Sequence, residues 1–144
     1  MTMAFSAPLQ QALFECLTGA PELAGLLGGR VYDDAPHRAA AEETGVFVTL
    51  GDERVSSWST ATDQGAAHEV EIRVHGPVRG FLPVKAAAAA VAAVLEADPP
   101  SPSAGRIVSH EFLSARTARE EQGAARRIDL RFRFVIEDDA QVGA

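Results

Sequence analysis

Residues 126–137 of the chain read Arg-Arg-Ile-Asp-Leu-Arg-Phe-Arg-Phe-Val-Ile-Glu and decide the fold. Every second position from 128 to 136 holds a large apolar residue, and most positions between them are charged. Successive side chains of a strand point to opposite faces of a sheet, so this alternation predicts a strand with one buried face. A slip of one residue would expose five large apolar side chains, so the register is firmly specified. The predicted inner residues are Ile128, Leu130, Phe132, Phe134 and Ile136.

Outward from this strand, the pattern predicts two helices, three strands, one helix and two strands. Ser6 or Ala7 is expected to cap the first helix, and Pro21 to open the second. These elements imply an α+β fold of two layers, with helices packed on one face of a mostly antiparallel sheet. Strands are predicted at 30–32, 46–59, 67–75 and 107–117, an alanine-rich helix at 81–97, a bulge or bend at 51–52, and polar loops or turns at 33–45, 60–66 and 119–125.

Length and composition predict one domain over residues 1–144, with 138–144 as a frayed tail. The chain is 47% apolar and 23% charged, which is typical of a globular protein. It has no apolar run long enough to span a bilayer and no signal-peptide pattern at its start, so we expect folding in a cytoplasm.

The net charge of −7 comes entirely from residues 1–105, which carry 6 basic and 13 acidic side chains, while 106–144 carry 7 of each. Phosphate-backbone binding takes clustered Lys and Arg, so an acidic, lysine-poor chain is a poor candidate for nucleic-acid binding.

Catalytic and metal-binding patterns are weak throughout the sequence. Cys16, the single cysteine, falls at a helical apolar position and is expected to be a buried thiol. His68 and His75 are seven residues apart on one predicted strand, so they point to opposite faces and cannot share a site. His37 and His110 have no ligand spacing around them. The sequence therefore predicts no catalysis, no cofactor and no tightly bound metal.

The outer face of the final strand allows two interpretations. Arg131 and Arg133 share that face with Asp129 and Glu137. They form either a solvated edge of mixed charge or an interface whose charges meet complementary charges on a neighbouring copy. Trp58, the single tryptophan, is either a core residue or an interface anchor.

Motifs spread from end to end carry a family resemblance. They are Ala-Leu-Phe-Glu-Cys-Leu in the first helix, Leu-Ala-Gly-Leu-Leu-Gly-Gly-Arg-Val-Tyr-Asp-Asp-Ala-Pro at 23–36, Val-Phe-Val-Thr-Leu-Gly-Asp at 46–52, Trp-Ser-Thr at 58–60, the strand at 68–75, the alanine-rich helix, Arg-Ile-Val-Ser at 106–109 and Ile-Asp-Leu-Arg-Phe-Arg-Phe at 128–134. In their order and spacing they resemble the tail terminator (tail completion) family of long-tailed siphophages and related gene transfer agents. The sequence departs from the family pattern at Pro83 and in the Pro-Pro-Ser-Pro loop.

The resemblance implies a structural, non-enzymatic protein of a virion or phage-like particle, at the junction of tail and neck. Family members form a homo-oligomer, a hexameric ring, on the last ring of the major tail tube protein. The ring stops tube growth and joins the head–neck connector or stopper protein, and DNA passes through its lumen without sequence-specific binding. No membrane and no cofactor is implied. A head-to-tail ring needs two different surfaces on each subunit, and the interface candidates are Arg54, Trp58, Arg131 and Arg133.

Two other classes of function stay open on the sequence alone. One is a different neck component, such as a head-completion or stopper protein or a minor tail adaptor. The other is a small α+β enzyme or ligand-binding domain, which would need a pocket with converging polar groups.

Overall fold

The computed structural model of the protein describes residues 2–33, 45–59, 64–76, 81–119 and 126–138. A 3₁₀ helix is added at the N-terminus, and the predicted order of helices and strands is otherwise confirmed. The elements are the 3₁₀ helix Thr2–Phe5, α1 (Ser6–Gly19), α2 (Pro21–Leu27), β1 (Val31–Tyr32), β2 (Phe47–Ser59), β3 (Gln64–Gly76), α3 (Leu82–Ala97), β4 (Arg106–Arg119) and β5 (Arg126–Glu137).

The ends of several predicted loops belong to strands. Gln64 and Arg119, which were predicted in turns, lie within β3 and β4. Asp138 is not frayed, because its backbone N–H donates to the carbonyl oxygen of Gln64 at 3.3 Å. The remainder of the predicted loops and tail, at 34–44, 60–63, 120–125 and 139–144, lies outside the described residues.

The five strands form one sheet in the order β1-β2-β3-β5-β4. β1 runs parallel to β2, and every other neighbouring pair is antiparallel. The final strand of the sequence is therefore not an edge strand. It lies between β3 and β4, and β4 forms one edge of the sheet.

The predicted inner face of β5 is confirmed. Its five large apolar residues are all at most 4% exposed, and they belong to the core cluster that also contains the buried residues of α1, α2 and α3. The helices contact this one face, so the α+β, two-layer prediction is also confirmed.

A bulge in β2 changes which side chains face the helices. Before it, Val48 lies opposite Val74; after the register shift between Leu50 and Glu53, Glu53 lies opposite Val70. The predicted bend at 51–52 is therefore a β-bulge, which places two residues of one strand against one of its partner. Its consequence is that the carboxylate of Glu53 points toward the helix layer.

Helix α3 lies close against β3 because small residues meet at the contact. Ala87 and Ala88 are buried on its inner side. A Cβ added to Gly76 of β3 would lie only 1.9 Å from Cγ2 of Val84. Glycine at position 76 is therefore required by the close approach of the helix to the strand.

The outer face of β5 is less exposed than the sequence predicts. Asp129 and Glu137 are each 8% exposed, and Val135 is 1% exposed. Arg127 donates to Asp129 at 2.8 Å, and Arg106 donates to Glu137 at 3.1 Å. Buried carboxylates require partners, and these arginines supply them while covering the strand.

Candidate functional site

The outer face of the sheet carries charges that alternate in sign from strand to strand. Arg54 of β2 lies opposite Glu69 of β3, which lies opposite Arg133 of β5, which lies opposite Glu111 of β4. Opposite charges directly across from each other stabilise neighbouring strands. Much of the basic charge on the outer face therefore lies beside acidic side chains of the same chain.

Arg131 and Arg133 are both paired within the chain. Arg131 lies 3.7 Å from Glu69, and Arg133 lies 3.5 Å from Glu111. The arginine side chains remain 44% and 33% exposed. Ion pairs with this much solvent access contribute little to folding, typically about 0–1 kcal/mol. Both guanidinium groups stay accessible to a partner molecule.

Arg54 and Trp58 lie at the other side of the same face. Arg54 is exposed and makes no ion pair with any described residue. Trp58 is half-buried near the end of β2, opposite Gly65, and does not belong to the core cluster. Trp58 is therefore not a core residue. That it anchors an interface stays a prediction.

The four candidates therefore separate into two pairs. Two strand spacings, about 10 Å, separate β2 from β5. Arg131 and Arg133 lie beside the edge strand β4. Arg54 and Trp58 lie on the part of β2 beyond its short pairing with β1, which involves only Val48 and Thr49 of β2. Each pair thus lies near a different edge of the sheet.

No residue of the strand β4 is buried, and all but Ile107 and Ala118 are exposed. Within the described part of the chain it pairs with β5 alone. Two register shifts interrupt its alternation, between Ile107 and Ser109 and between Phe112 and Ser114. Val108, Phe112 and Leu113, at or beside these shifts, are about 40% exposed. A long edge strand with exposed apolar side chains is a surface suited to contact with another chain.

A polar cluster that the sequence analysis missed links α1 to the sheet. Nδ1 of His68 donates to one carboxylate oxygen of Glu53 at 2.8 Å, and the hydroxyl of Ser6 donates to the other. The expected helix cap is wrong at this point. Ser6 is the first residue of α1 and bonds across to β2, and the N-cap Phe5 makes no side-chain capping bond. The sequence signal for this cluster was the bend predicted at 51–52, because a bulge there turns the side chain of Glu53 toward the helices.

This cluster is unsuited to nucleophilic catalysis. A nucleophilic serine needs its hydroxyl on the ring nitrogen of the histidine, whereas Ser6 donates to Glu53. The other ring nitrogen of His68, Nε2, is buried and has no hydrogen-bond partner among the described residues. Burial raises the pKa of Glu53, but hydrogen bonds from His68 and Ser6 outweigh it and leave that pKa below its ordinary value. The carboxylate is held ionised as a link between helix and sheet.

The remaining candidate groups are dispersed. His75 lies on the outer face, where its Nε2 is 2.9 Å from the hydroxyl of Thr49, so the two strand histidines do face opposite sides. Cys16 is partly buried, and burial together with Asp98 and Glu22 raises the pKa of its thiol. Within the described ranges, no group of three His, Cys, Asp or Glu residues could hold a metal ion. His37 lies outside the described residues.

None of the helices in the described part of the chain is long and apolar enough to cross a membrane.

Comparison with known proteins defines the class of this chain as a structural protein of a phage-type tail. Residues 11–137 match the family model described as tail completion protein gp17. Because the match covers most of the chain, the protein belongs to the tail completion protein gp17 family, and the resemblance seen in the sequence is confirmed. Its place is in a virion or phage-like particle.

A solved structure supports the same assignment. The chain is similar to one in the virion of a native gene transfer agent particle, with 40% sequence identity and a TM-score of 0.82. The alignment covers 93% of this chain and 98% of that chain. A search of curated protein sequences finds no match.

Proposed function

We propose that the protein is a tail terminator. Six copies form a ring on the last ring of the major tail tube protein, stop the growth of the tube and join it to the head–neck connector or stopper protein. DNA passes through the ring without sequence-specific binding. The observation that carries the proposal is family membership over residues 11–137. The similarity to a chain of a gene transfer agent virion supports it.

A ring requires two different, complementary surfaces on each subunit, since identical surfaces would close into a dimer. The two edges of the sheet supply candidates for these surfaces. Among the described residues, β4 leaves one backbone edge unpaired, and β2 beyond Thr49 leaves the other. The chain, proposed as one domain over residues 1–144, thus carries both halves of a head-to-tail contact.

The four outer-face residues fit this arrangement as contacts between subunits. Arg131 and Arg133 lie beside the β4 edge, while Arg54 and Trp58 lie beside the β2 edge. In a head-to-tail contact one pair lies on each of the two contacting surfaces, and each arginine needs an acidic or aromatic group of the neighbouring copy. Glu69 and Glu111 lie beside Arg131 and Arg133 in the same chain and leave both guanidinium groups accessible for such a contact.

The same proposal assigns no catalytic activity, cofactor or membrane contact to the protein. The cluster of Glu53, His68 and Ser6 is a folding link in this account. Purified protein is expected to hold no stoichiometric metal after dialysis, and elemental analysis checks this.

Charge reversal on the outer face tests the interface part of the proposal. Arg131→Glu with Arg133→Glu is expected to abolish joining of tails to heads. Each change removes an exposed ion pair worth at most about 1 kcal/mol and places a like charge beside Glu69 or Glu111, so the monomer is expected to be less stable but still folded. The matched control is Arg131→Lys with Arg133→Lys, which keeps the charge and is expected to retain joining. Electron microscopy of particles and thermal melting of the purified variants are the measurements.

Two results separate the parts of the proposal. If joining persists in the glutamate variant, the outer face is merely solvated and these residues are not an interface. If imaging of wild-type particles finds the chain absent from the tail–neck junction, the tail-terminator assignment itself is wrong. In that case binding to another neck component identifies a head-completion, stopper or adaptor protein.

A further inference from the structure

An apolar groove lies on the helix side of the sheet, between α3 and the edge strand β4. Its volume is about 300 Å³. The walls are mainly small residues, and the floor is apolar; the lining includes Ala88, Ala89 and Ala92 of α3, Phe112 and Ala115 of β4, and Leu130 of β5. The groove leaves part of the apolar layer between α3 and the sheet accessible.

The exposed large apolar side chains of the described residues fall into two regions. Leu82 lies on α3, and Val108, Phe112 and Leu113 lie on β4; of these four, Phe112 lines the groove. The others are Met3, Phe14 and Leu26, on the N-terminal helices. Contiguous exposed apolar surface marks sites of protein contact. Two such regions on one chain meet the requirement for a pair of complementary surfaces.

Phe14 and the groove lie toward opposite edges of the sheet. Phe14 belongs to α1, which packs against β1 at one edge, whereas the groove borders β4 at the other; α2 packs against α3 between them. A contact between the groove of one copy and the N-terminal helices of the next is therefore head-to-tail. Repetition of such a contact closes into a ring when the rotation permits.

The charges of the two regions are opposite. Lys85 lines the groove, and of the three arginines of β4, Arg106 and Arg116 lie on the outer face of the sheet, opposite Glu137 and Asp129. α1 and α2 carry Glu15 and Glu22 and contain no Lys or Arg. Complementary charge around an apolar contact favours the correct partner and suppresses contact between like surfaces. Two grooves would repel each other, and so would two pairs of N-terminal helices.

We propose that the groove between α3 and β4 binds the α1–α2 surface of a second copy of this chain, with Phe14 as the apolar side chain that enters it. The inference rests on the proposed ring and specifies one of its contacts. The alanines leave space for an aromatic ring, and Lys85 lies where Glu15, next to Phe14, can approach it.

Blocking the groove is the first test. Ala89→Trp fills the groove, while Ala86→Trp places the same side chain on an exposed position of α3 outside the groove. In particles, Ala89→Trp is expected to abolish the ring and Ala86→Trp to retain it, with equal melting temperatures of the two monomers. A ring that forms normally with Ala89→Trp overturns the inference. So does a melting temperature lowered only by Ala89→Trp, because the groove would then hold a segment of its own chain.

Cross-linking identifies the occupant. In a Cys16→Ser background, Phe14→Cys and Ala89→Cys together are expected to give a ladder of cross-linked copies with a short bis-maleimide, whereas either cysteine alone gives none. Cross-linking of Phe14→Cys to itself indicates a two-fold contact and contradicts the inference. A product with another virion protein at Ala89→Cys contradicts it as well.

The two proposals fail differently in these experiments. If wild-type rings are seen on tails but Phe14→Cys and Ala89→Cys do not cross-link, the groove inference fails and the tail-terminator assignment stands. If wild-type tails carry no ring of this chain, the assignment fails and the groove inference with it.

Discussion

β5 and β4 are neighbouring strands, paired along their length, yet their side chains meet opposite environments. Arg131 is the single exposed residue of β5, whereas no residue of β4 is buried. Both strands contain large apolar residues. The difference arises because β5 has helices on its inner face and a strand on each side, whereas β4 is an edge strand that α3 covers only in part. Apolar residues in β5 stabilise the fold, and those in β4 are available to a partner.

The largest expected effect comes from shortening one phenylalanine side chain on each strand, which tests the contrast between β5 and β4. Phe132 of β5 and Phe112 of β4 lie directly opposite each other, with ring centroids 5.6 Å apart. Phe132→Ala is expected to cost about 3–5 kcal/mol, because it opens a cavity in the core. Phe112→Ala is expected to cost about 1 kcal/mol, mostly the aromatic pair. Urea or thermal unfolding measures both, and equal losses would contradict the contrast between the strands.

The same two strands show what the sequence can predict. β5 alternates strictly, so its facing, its burial and the α+β class follow from Ile128 to Ile136 alone. The bulges in β4 at Val108 and Leu113 interrupt the alternation, and no local pattern reports that a strand is an edge. Strand order depends on contacts between distant residues, which the pattern of one strand does not contain.

The candidate site was predictable to a similar extent. Alternation correctly placed Arg131 and Arg133 on the outer face. Their pairing with Glu69 and Glu111 depends on the register of β3 and β4, which the sequence leaves open. Glu53 was missed because the facing of its side chain depends on the bulge, and the groove was missed because it lies between two elements distant in sequence.

A smaller effect on stability is expected at the contact between α3 and β3. Gly76→Ala is expected to destabilise the protein by about 1–3 kcal/mol, because the new methyl group would overlap the side chain of Val84. Gly25→Ala is the control, since nothing lies within 4 Å of the added Cβ in that helix. It is expected to be neutral or to stabilise by up to about 1 kcal/mol. Thermal melting compares them, and a neutral Gly76→Ala would mean that α3 lies farther from the sheet.

The smallest effect concerns the polar link between α1 and β2. The pKa of Glu53 is lower in the folded chain than in the unfolded one, so its ionised form stabilises the fold above the unfolded pKa. This stability is lost as the pH falls through the folded pKa. Glu53→Gln is expected to cost about 0.5–1.5 kcal/mol at about pH 6 and less at about pH 3. Denaturant unfolding at both values checks this, and a cost that grows toward acid would contradict it.

Tail length in particles lacking this chain tests the central claim most directly. If the protein terminates the tail, a deletion strain is expected to make tubes of variable and excessive length that are not joined to heads, and expression of the wild-type chain is expected to restore both properties. Electron microscopy of the tails gives the length distribution. Tails of uniform length joined to heads in the deletion strain would contradict the account.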